Sequence, residues 1–362
     1  MPMFVPGPVD VHPEVADAQT APMLPHRSVA FEEIFHRAEN KARKLFYTQY
    51  RVFLTASSGT GFHEAAVRNF VPDNGRILSC TNGAFGNRWH DVALANGKQA
   101  DRLETDWSQP ITPERVAGAL KQRRYDIITV VHNETSTGLM NPVKEIAEVV
   151  HDLSPDTLIC VDAVSSLSGA KIEMDAWGLD LVLTSSQKAL ALPPGLGLGA
   201  VSDRALARAE TVPNRGWYFD LVRLEKHRNK NSTPATPAVS LIYALDKQLD
   251  RILYEEGLEN RFARHSAMAG RVQRWALDRG LGLFAAAGYR SQTVTTVCKS
   301  EDLNIGDLNA FLLERDMRIA GGYGPLKPTT FRIAHMGELQ MADIERLLEA
   351  IDEGCAWYFS FR

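Results

Sequence analysis

Short runs of mostly apolar residues recur at 52–56, 76–80, 126–131, 157–163, 179–185 and 196–202. Several are separated by stretches with apolar residues at helical spacing, at 63–70, 87–95, 113–122 and 143–153. A strand that is apolar throughout must be covered on both faces. Such strands alternating with amphipathic helices predict an α/β fold around a mainly parallel sheet. An earlier helical pattern, 28–47, places Phe31, Ile34, Phe35, Ala38, Ala42 and Leu45 on one face. No internal repeat or low-complexity linker interrupts the series.

Residues 1–20 begin Pro-rich, and an extended segment is expected there. A long helical pattern over 236–279, with Leu241, Leu245, Leu249, Ile252 and Leu253, is read as one helix leading from a large domain to a small one. Beyond it, 291–299, 317–320 and 330–335 read as strands, and 302–314 and 340–352 as helices. This predicts a small α+β C-terminal domain. The expected division is an N-terminal segment 1–20, a large domain 21–255 and a small domain 256–362. A chain of 362 residues suits such a pair of domains.

Charge narrows the partners. The net charge is −4 and no basic block stands out, which argues against nucleic acid. No run of about 18 uninterrupted apolar residues exists, so no membrane span is expected. The first residues, MPMFVPGPVDVHPEV, lack the basic and apolar regions of a signal peptide. Cys80, Cys160, Cys298 and Cys355 are far apart and lack metal-type spacing. Cys80 and Cys160 lie at or near the ends of apolar runs and read as buried thiols, which fits a reducing cytoplasm.

In an open parallel sheet, ligands bind beyond the carboxyl ends of the strands. The polar clusters of this chain lie there. The segment from Leu181 to Gly195 ends a buried strand, then delivers Lys188 on a small polar loop closed by Pro193-Pro194-Gly195. A lysine there is either a surface residue or a chemically used amine. Asp162 ends an earlier strand and is either a structural acceptor or a partner for a protonated ring nitrogen. Ser57-Ser58-Gly59-Thr60-Gly61 lies between a strand and a helix. Its exposed N–H groups and hydroxyls suit either a phosphate cradle or a simple tight turn. Phe85 follows the 76–80 strand and is either core or a stacking ring. The hydroxyls of the His132–Gly138 segment are turn formers or ligands. Arg332 interrupts an apolar strand and needs either an internal carboxylate or that of a substrate. Gly195-Leu-Gly-Leu-Gly199 is not a nucleotide fingerprint, because apolar strand rather than a helix start follows it.

The ordered set of motifs resembles the class V aminotransferases of the fold-type I pyridoxal-phosphate enzymes. It comprises Pro6-Gly7-Pro8, Ser57–Gly61, His132–Gly138, Val161-Asp162-Ala-Val-Ser-Ser166, Ser185-Ser-Gln187-Lys188 with Pro193–Gly195, and Phe331-Arg332-Ile333. The likeness spans nearly the whole chain and is closest to alanine/serine–glyoxylate (serine–pyruvate) aminotransferases, with phosphoserine aminotransferase as a relative. It implies a large domain with a mainly parallel, seven-stranded type of sheet between helices. It implies that Lys188 holds pyridoxal 5'-phosphate as a Schiff base and shuttles the substrate α-proton. It implies that Asp162 pairs with the pyridine nitrogen, Phe85 stacks on the ring and Thr135 reaches the phenolic oxygen. Ser58, Gly59, Thr60 and Gln187 would hold the phosphate, and Arg332, with Gly7 nearby, the substrate carboxylate. The 232–236 segment, with Ser232 and Thr233, resembles a contribution from the neighbouring subunit, which implies a homodimer with shared active sites. Two positions depart from the family pattern: Phe85 stands where Trp is frequent, and Thr60 where His is.

The expected reaction is a ping-pong transfer of an amino group from serine or alanine to glyoxylate or pyruvate. Phosphoserine with 2-oxoglutarate is the runner-up, because His26-Arg27 resembles a pair that binds substrate phosphate across the dimer. The alternative for that pair is a polar start to the 28–47 helix. A cysteine desulfurase is disfavoured: Gln187, not His, precedes Lys188, and no cysteine lies on a loop of the expected kind. A non-catalytic protein on the same scaffold remains a separate class, opposed by the intact Lys188, Asp162 and Arg332.

Overall fold

The structure is a computed structural model that describes residues 2–299 and 302–356. Its strands are β1 (Met3–Phe4), β2 (Arg51–Thr55), β3 (Arg76–Thr81), β4 (Gln99–Glu104), β5 (Ile127–Val131), β6 (Asn133–Glu134), β7 (Leu139–Met140), β8 (Leu158–Asp162), β9 (Leu181–Ser185), β10 (Gly197–Val201), β11 (Val294–Cys298), β12 (Arg318–Gly321) and β13 (Thr330–Ala334). Seven of them form one sheet in the order β2-β10-β9-β8-β5-β3-β4. The pairings from β9 to β4 are all parallel. β10 runs antiparallel to both of its neighbours, β9 and β2. Every residue of β5, β8, β9 and β10 is buried, as apolar strands between two helical layers must be.

One helical layer buries Phe31, Val116, Ile146 and Leu245 against the sheet. The opposite layer buries Phe62, Trp89, Ala205 and Leu221. The second sheet has the order β1-β12-β13-β11 and a core of its own, which includes Phe4, Trp275, Leu308 and Leu347. Its helices are Leu258–Asp278, Ile305–Leu313 and Met341–Gly354. Cys80, Cys160 and Cys355 are free and buried, and Cys298 is free and half-buried. Among the described residues, no helix is long and apolar enough to cross a membrane.

Several expectations need correction. Residues 1–20 are not simply extended. Met3–Phe4 pairs in parallel with β12, and Pro13–Ala18 is a helix. Pro13 opens that helix, where its missing N–H costs nothing, and His12 Nδ1 accepts from Glu14 N–H. The 236–279 pattern is not one helix. Val239–Asp250 passes into a wider turn at Arg251–Glu256, then breaks at Gly257 with φ of +81° before Leu258–Asp278. Glycine accepts that left-handed backbone without a Cβ clash. The helix expected from residue 63 begins at Gly59. β4, Gln99–Glu104, carries no apolar run because it is an edge strand and exposes one face.

The close pairing of β10 with the helix above it depends on Gly199. A Cβ there would lie 2.3 Å from Phe62 Cε1. Gly199→Ala is expected to destabilise the protein by about 1–3 kcal/mol through overpacking. Denaturant unfolding measures this, and an unchanged midpoint would show that Phe62 yields freely.

Candidate active site

Strand direction gathers the site. β8 and β9 are parallel neighbours, so Asp162 and the loop after Ser185 leave the sheet at one edge. β2 and β9 each run antiparallel to β10 and so point the same way. The Ser58 loop after β2 therefore emerges on the edge that carries Asp162 and Lys188. β3 and β5 end there too and supply Phe85 and Thr135.

Lys188 is half-buried, and its Nζ donates to the carbonyl of Pro6. Burial, then the positive charge of Arg332, push its amine down from 10.5 to about 8; Asp162 opposes the shift. Gly7 packs directly on this side chain. With φ of +91°, its missing Cβ would lie 2.6 Å from Lys188 Cδ. Val9 N–H donates to the Gln187 carbonyl at 3.2 Å, which ties the N-terminal segment to the lysine loop.

Asp162 is 3% exposed. Its Oδ1 accepts from Val164 N–H at 2.8 Å, and its Oδ2 lies 2.8 Å from His63 Nε2. His63 was not among the residues expected from sequence. Neither was Glu134, which is fully buried. Glu134 accepts from the N–H groups of Phe85, Gly86 and Ser136 at 3.0–3.1 Å and from Ser136 Oγ at 2.6 Å. It thereby satisfies the open start of the Ala84–Ala95 helix and sets the place of Phe85. Gly83 permits this approach, since a Cβ there would lie 2.3 Å from Glu134 Cγ. Burial raises the Glu134 carboxyl above its ordinary range.

Thr135 is buried, with Oγ1 2.5 Å from Ser165 Oγ. His132 is buried too, Nδ1 3.0 Å from Ser166 Oγ, and burial pushes its ring down to about 4. Ser58 caps the Gly59–Phe70 helix in an extended conformation without any side-chain cap bond. The first N–H groups of that helix, at Gly59 and Thr60, thus face the site's edge uncapped, as an anion site requires.

Arg332 lies in β13. Its Nε donates to Gly321 O at 3.0 Å and its Nη1 to Thr135 O at 3.2 Å. Among the described residues it forms no ion pair. The internal salt bridge that the sequence left open is therefore not made, and burial lowers its pKa. Its guanidinium stands 5.4 Å from the Tyr323 ring centroid. Tyr323 lies 5.8 Å from the Phe85 ring and accepts from Arg88 Nη2 at 3.4 Å. Arg88 lies over Phe85 at 4.7 Å and also lowers the Lys188 pKa, so it belongs to this group. Sequence reasoning missed Arg88 and Tyr323. The signal for Arg88 was its position one helical turn beyond Phe85.

The structure does not join every expected residue to the group. His26 and Arg27 precede Ser28, whose Oγ caps the Val29–Phe46 helix by accepting from Phe31 N–H. Among the described residues no hydrogen bond or ion pair links them to Lys188. Arg27 instead lies close enough to His227 to help lower its pKa, after burial. Ser232 and Thr233 are buried, and Thr233 lines a small cavity with Thr55, Ala56 and Tyr218 at the foot of the Ser58 loop.

The family model for class-V aminotransferases matches residues 14–340. An uncharacterized aminotransferase of Methanocaldococcus jannaschii is 38% identical, over 92% of this chain and 87% of the relative. The L-aspartate–glyoxylate aminotransferase of Paracoccus denitrificans is 34% identical, over 93% of this chain and 87% of the relative. Among solved structures, an alanine–glyoxylate aminotransferase of Nostoc superposes with a TM-score of 0.91 at 30% identity, covering 97% of this chain and 94% of that one.

The depressed Lys188 amine gives a pH prediction. Cyanate attacks only unprotonated amines, so carbamylation of Lys188 in cofactor-free protein should rise with pH through a midpoint at about 8. Arg332→Gln should move that midpoint upward, because a positive neighbour is lost. Site-resolved mass spectrometry reads both, and a midpoint near 10.5 would contradict the burial.

Proposed function

This chain belongs to the class-V aminotransferases, a family dependent on pyridoxal 5'-phosphate, and from that premise we propose that it moves the amino group of serine or alanine to glyoxylate or pyruvate. One observation carries the reading most. A half-buried lysine with a depressed pKa shares the sheet edge with a buried carboxylate, and beside them stands an arginine without an ion-pair partner among the described residues.

These residues fit the cofactor by their donor chemistry. The uncapped helix start at Ser58, Gly59 and Thr60 suits a phosphate, joined by Gln187. Ser232 Oγ is buried without a partner among the described residues. In the proposed homodimer, Ser232 and Thr233 serve the phosphate of the neighbouring subunit. Phe85 offers an aromatic face, Thr135 a hydroxyl for the phenolic oxygen and Asp162 a carboxylate for the pyridine nitrogen. In this reading residues 21–255 hold the cofactor, 256–362 bring Arg332, and 1–20 cover Lys188.

When bound, the cofactor supplies an electrophilic carbon and a ring that accepts an electron pair. The protein's own groups do the rest. Lys188, whose amine is pushed down to about 8, takes the proton from the substrate Cα and returns it to a neighbouring carbon. Asp162 keeps a proton on the ring nitrogen. Arg332 grips the α-carboxylate with its remaining N–H groups and so orients the Cα–H bond. The Pro6–Pro8 segment, lying on Lys188, limits water at the amine. The kinetics are ping-pong, the first oxo acid leaving before the second enters.

Glyoxylate as acceptor is supported by the names of the Paracoccus and Nostoc relatives. A second reading of the donor is favoured by Arg88, which makes no ion pair among the described residues. A dicarboxylic donor such as aspartate would give it a carboxylate. Phosphoserine would have to reach His26 and Arg27 across the dimer, and Arg27 is exposed.

Lys188→Ala should abolish both turnover and the visible absorbance of the bound cofactor; near-normal activity in that variant would sink the assignment. The donor follows from kcat/KM for serine, alanine, aspartate and phosphoserine with glyoxylate, pyruvate and 2-oxoglutarate. Serine or alanine with glyoxylate should lead by roughly tenfold or more. If aspartate leads, and Arg88→Leu lowers its kcat/KM selectively, the second reading replaces the first.

A further inference from the structure

His63 has no part in the chemistry above, yet it touches the group that chemistry depends on. It lies in the first turns of the Gly59–Phe70 helix and is 2% exposed. Its Nε2 is 2.8 Å from Asp162 Oδ2. A carboxylate can only accept, so Nε2 carries the hydrogen of this bond. The imidazole plane is held by Trp89, stacked at 4.4 Å between centroids and 13° between planes. Trp89 is anchored in turn by its indole N–H, which donates to the His63 carbonyl at 3.2 Å.

The other ring nitrogen decides between packing and function. His63 Nδ1 is buried and has no hydrogen-bond partner among the described residues. A buried polar atom left unpaired is destabilising. A leucine or phenylalanine would fill the same space against Trp89 without that cost. An imidazole is worth keeping here only for what its Nε2–H does at Asp162. There it acts with Val164 N–H, 2.8 Å from Oδ1, so each carboxylate oxygen has one fixed donor. Two donors from different elements, one on the helix and one on the loop after β8, remove rotation about the Asp162 side chain. The lone pairs left over then keep one direction.

We propose that His63 is a positioning residue: its Nε2–H, fixed by the Trp89 stack, holds the Asp162 carboxylate in the orientation that pairs with the pyridine nitrogen of bound pyridoxal phosphate. This rests on the reading of Asp162 given above. Loss of His63 frees the carboxylate to turn, weakens its pairing with the ring nitrogen and lowers the share of protonated ring. Arg332 is untouched, so recognition of the donor's carboxylate persists.

The test uses holoenzyme loaded with cofactor labelled with ¹⁵N at the pyridine nitrogen, as wild type, His63→Leu, His63→Gln and Asp162→Asn. In His63→Leu the ring ¹⁵N resonance should move toward its unprotonated position. The cofactor Kd should rise and kcat fall, each about tenfold, as expected for one hydrogen bond to a charged group. KM for the amino donor should stay within about twofold, because the substrate's own contacts remain. His63→Gln, whose amide N–H reaches the same oxygen, should recover most of the resonance position and of kcat. The inference is overturned if His63→Leu keeps the wild-type resonance and kcat. It is equally overturned if Leu and Gln variants lose melting temperature alike while the resonance stays in place, since that marks packing alone. Asp162→Asn separates the two claims. A wild-type resonance in that variant removes the Asp162 reading itself. A displaced resonance there with an unmoved one in His63→Leu removes only the role of His63.

Discussion

The parallel pairing of β8 with β9 is the constraint on which the rest of the site depends. It brings Asp162 beside Leu183 and lets the next loop return Lys188 to the same edge. β10 then reverses direction, and that reversal turns β2 back so that its Ser58 loop opens on that edge as well. A sheet wholly covered by helices has few places where polar groups meet at a surface. The carboxyl ends of its strands are one of them. The small sheet closes the arrangement from the side by bringing Arg332 on β13 against Thr135.

The electrostatics of this edge are unbalanced among the described residues. Lys188, Arg332 and Arg88 concentrate positive charge, and the positive charge of Arg332 helps to depress the amine of Lys188. Asp162 is committed to Val164 and His63, and Glu134 to the start of the helix that carries Phe85. Neither carboxylate pairs with an arginine of the group among the described residues. A site of this kind suits ligands with phosphate and carboxylate groups, which is the composition of an amino acid reacting on a pyridoxal-phosphate centre.

Much of this was legible in the sequence, for identifiable reasons. β2, β5, β8 and β9 carry apolar runs, so their ends and the polar residues beyond them stood out: the Ser58 loop, Thr135, Asp162 and Lys188. β4 did not stand out, because an edge strand needs no apolar run. The break at Gly257 was missed because the helical spacing of Leu241, Leu245, Leu249 and Leu253 was extended past it. His63 and Glu134 were missed because their roles lie in contacts between distant elements. The His63 bond to Asp162 spans 99 positions, and no local spacing announces it. Arg88 and Tyr323 belong together only through the meeting of a helix from the large sheet with a loop of the small one.

The central claim is that Lys188 is the amine that carries the cofactor. Borohydride reduction of the holoprotein, followed by proteolysis and mass spectrometry, tests it most directly. The account predicts a reduced phosphopyridoxyl group on the peptide that contains Lys188 and on no other. Label on a different lysine, or none in protein that retains its visible absorbance, would contradict it.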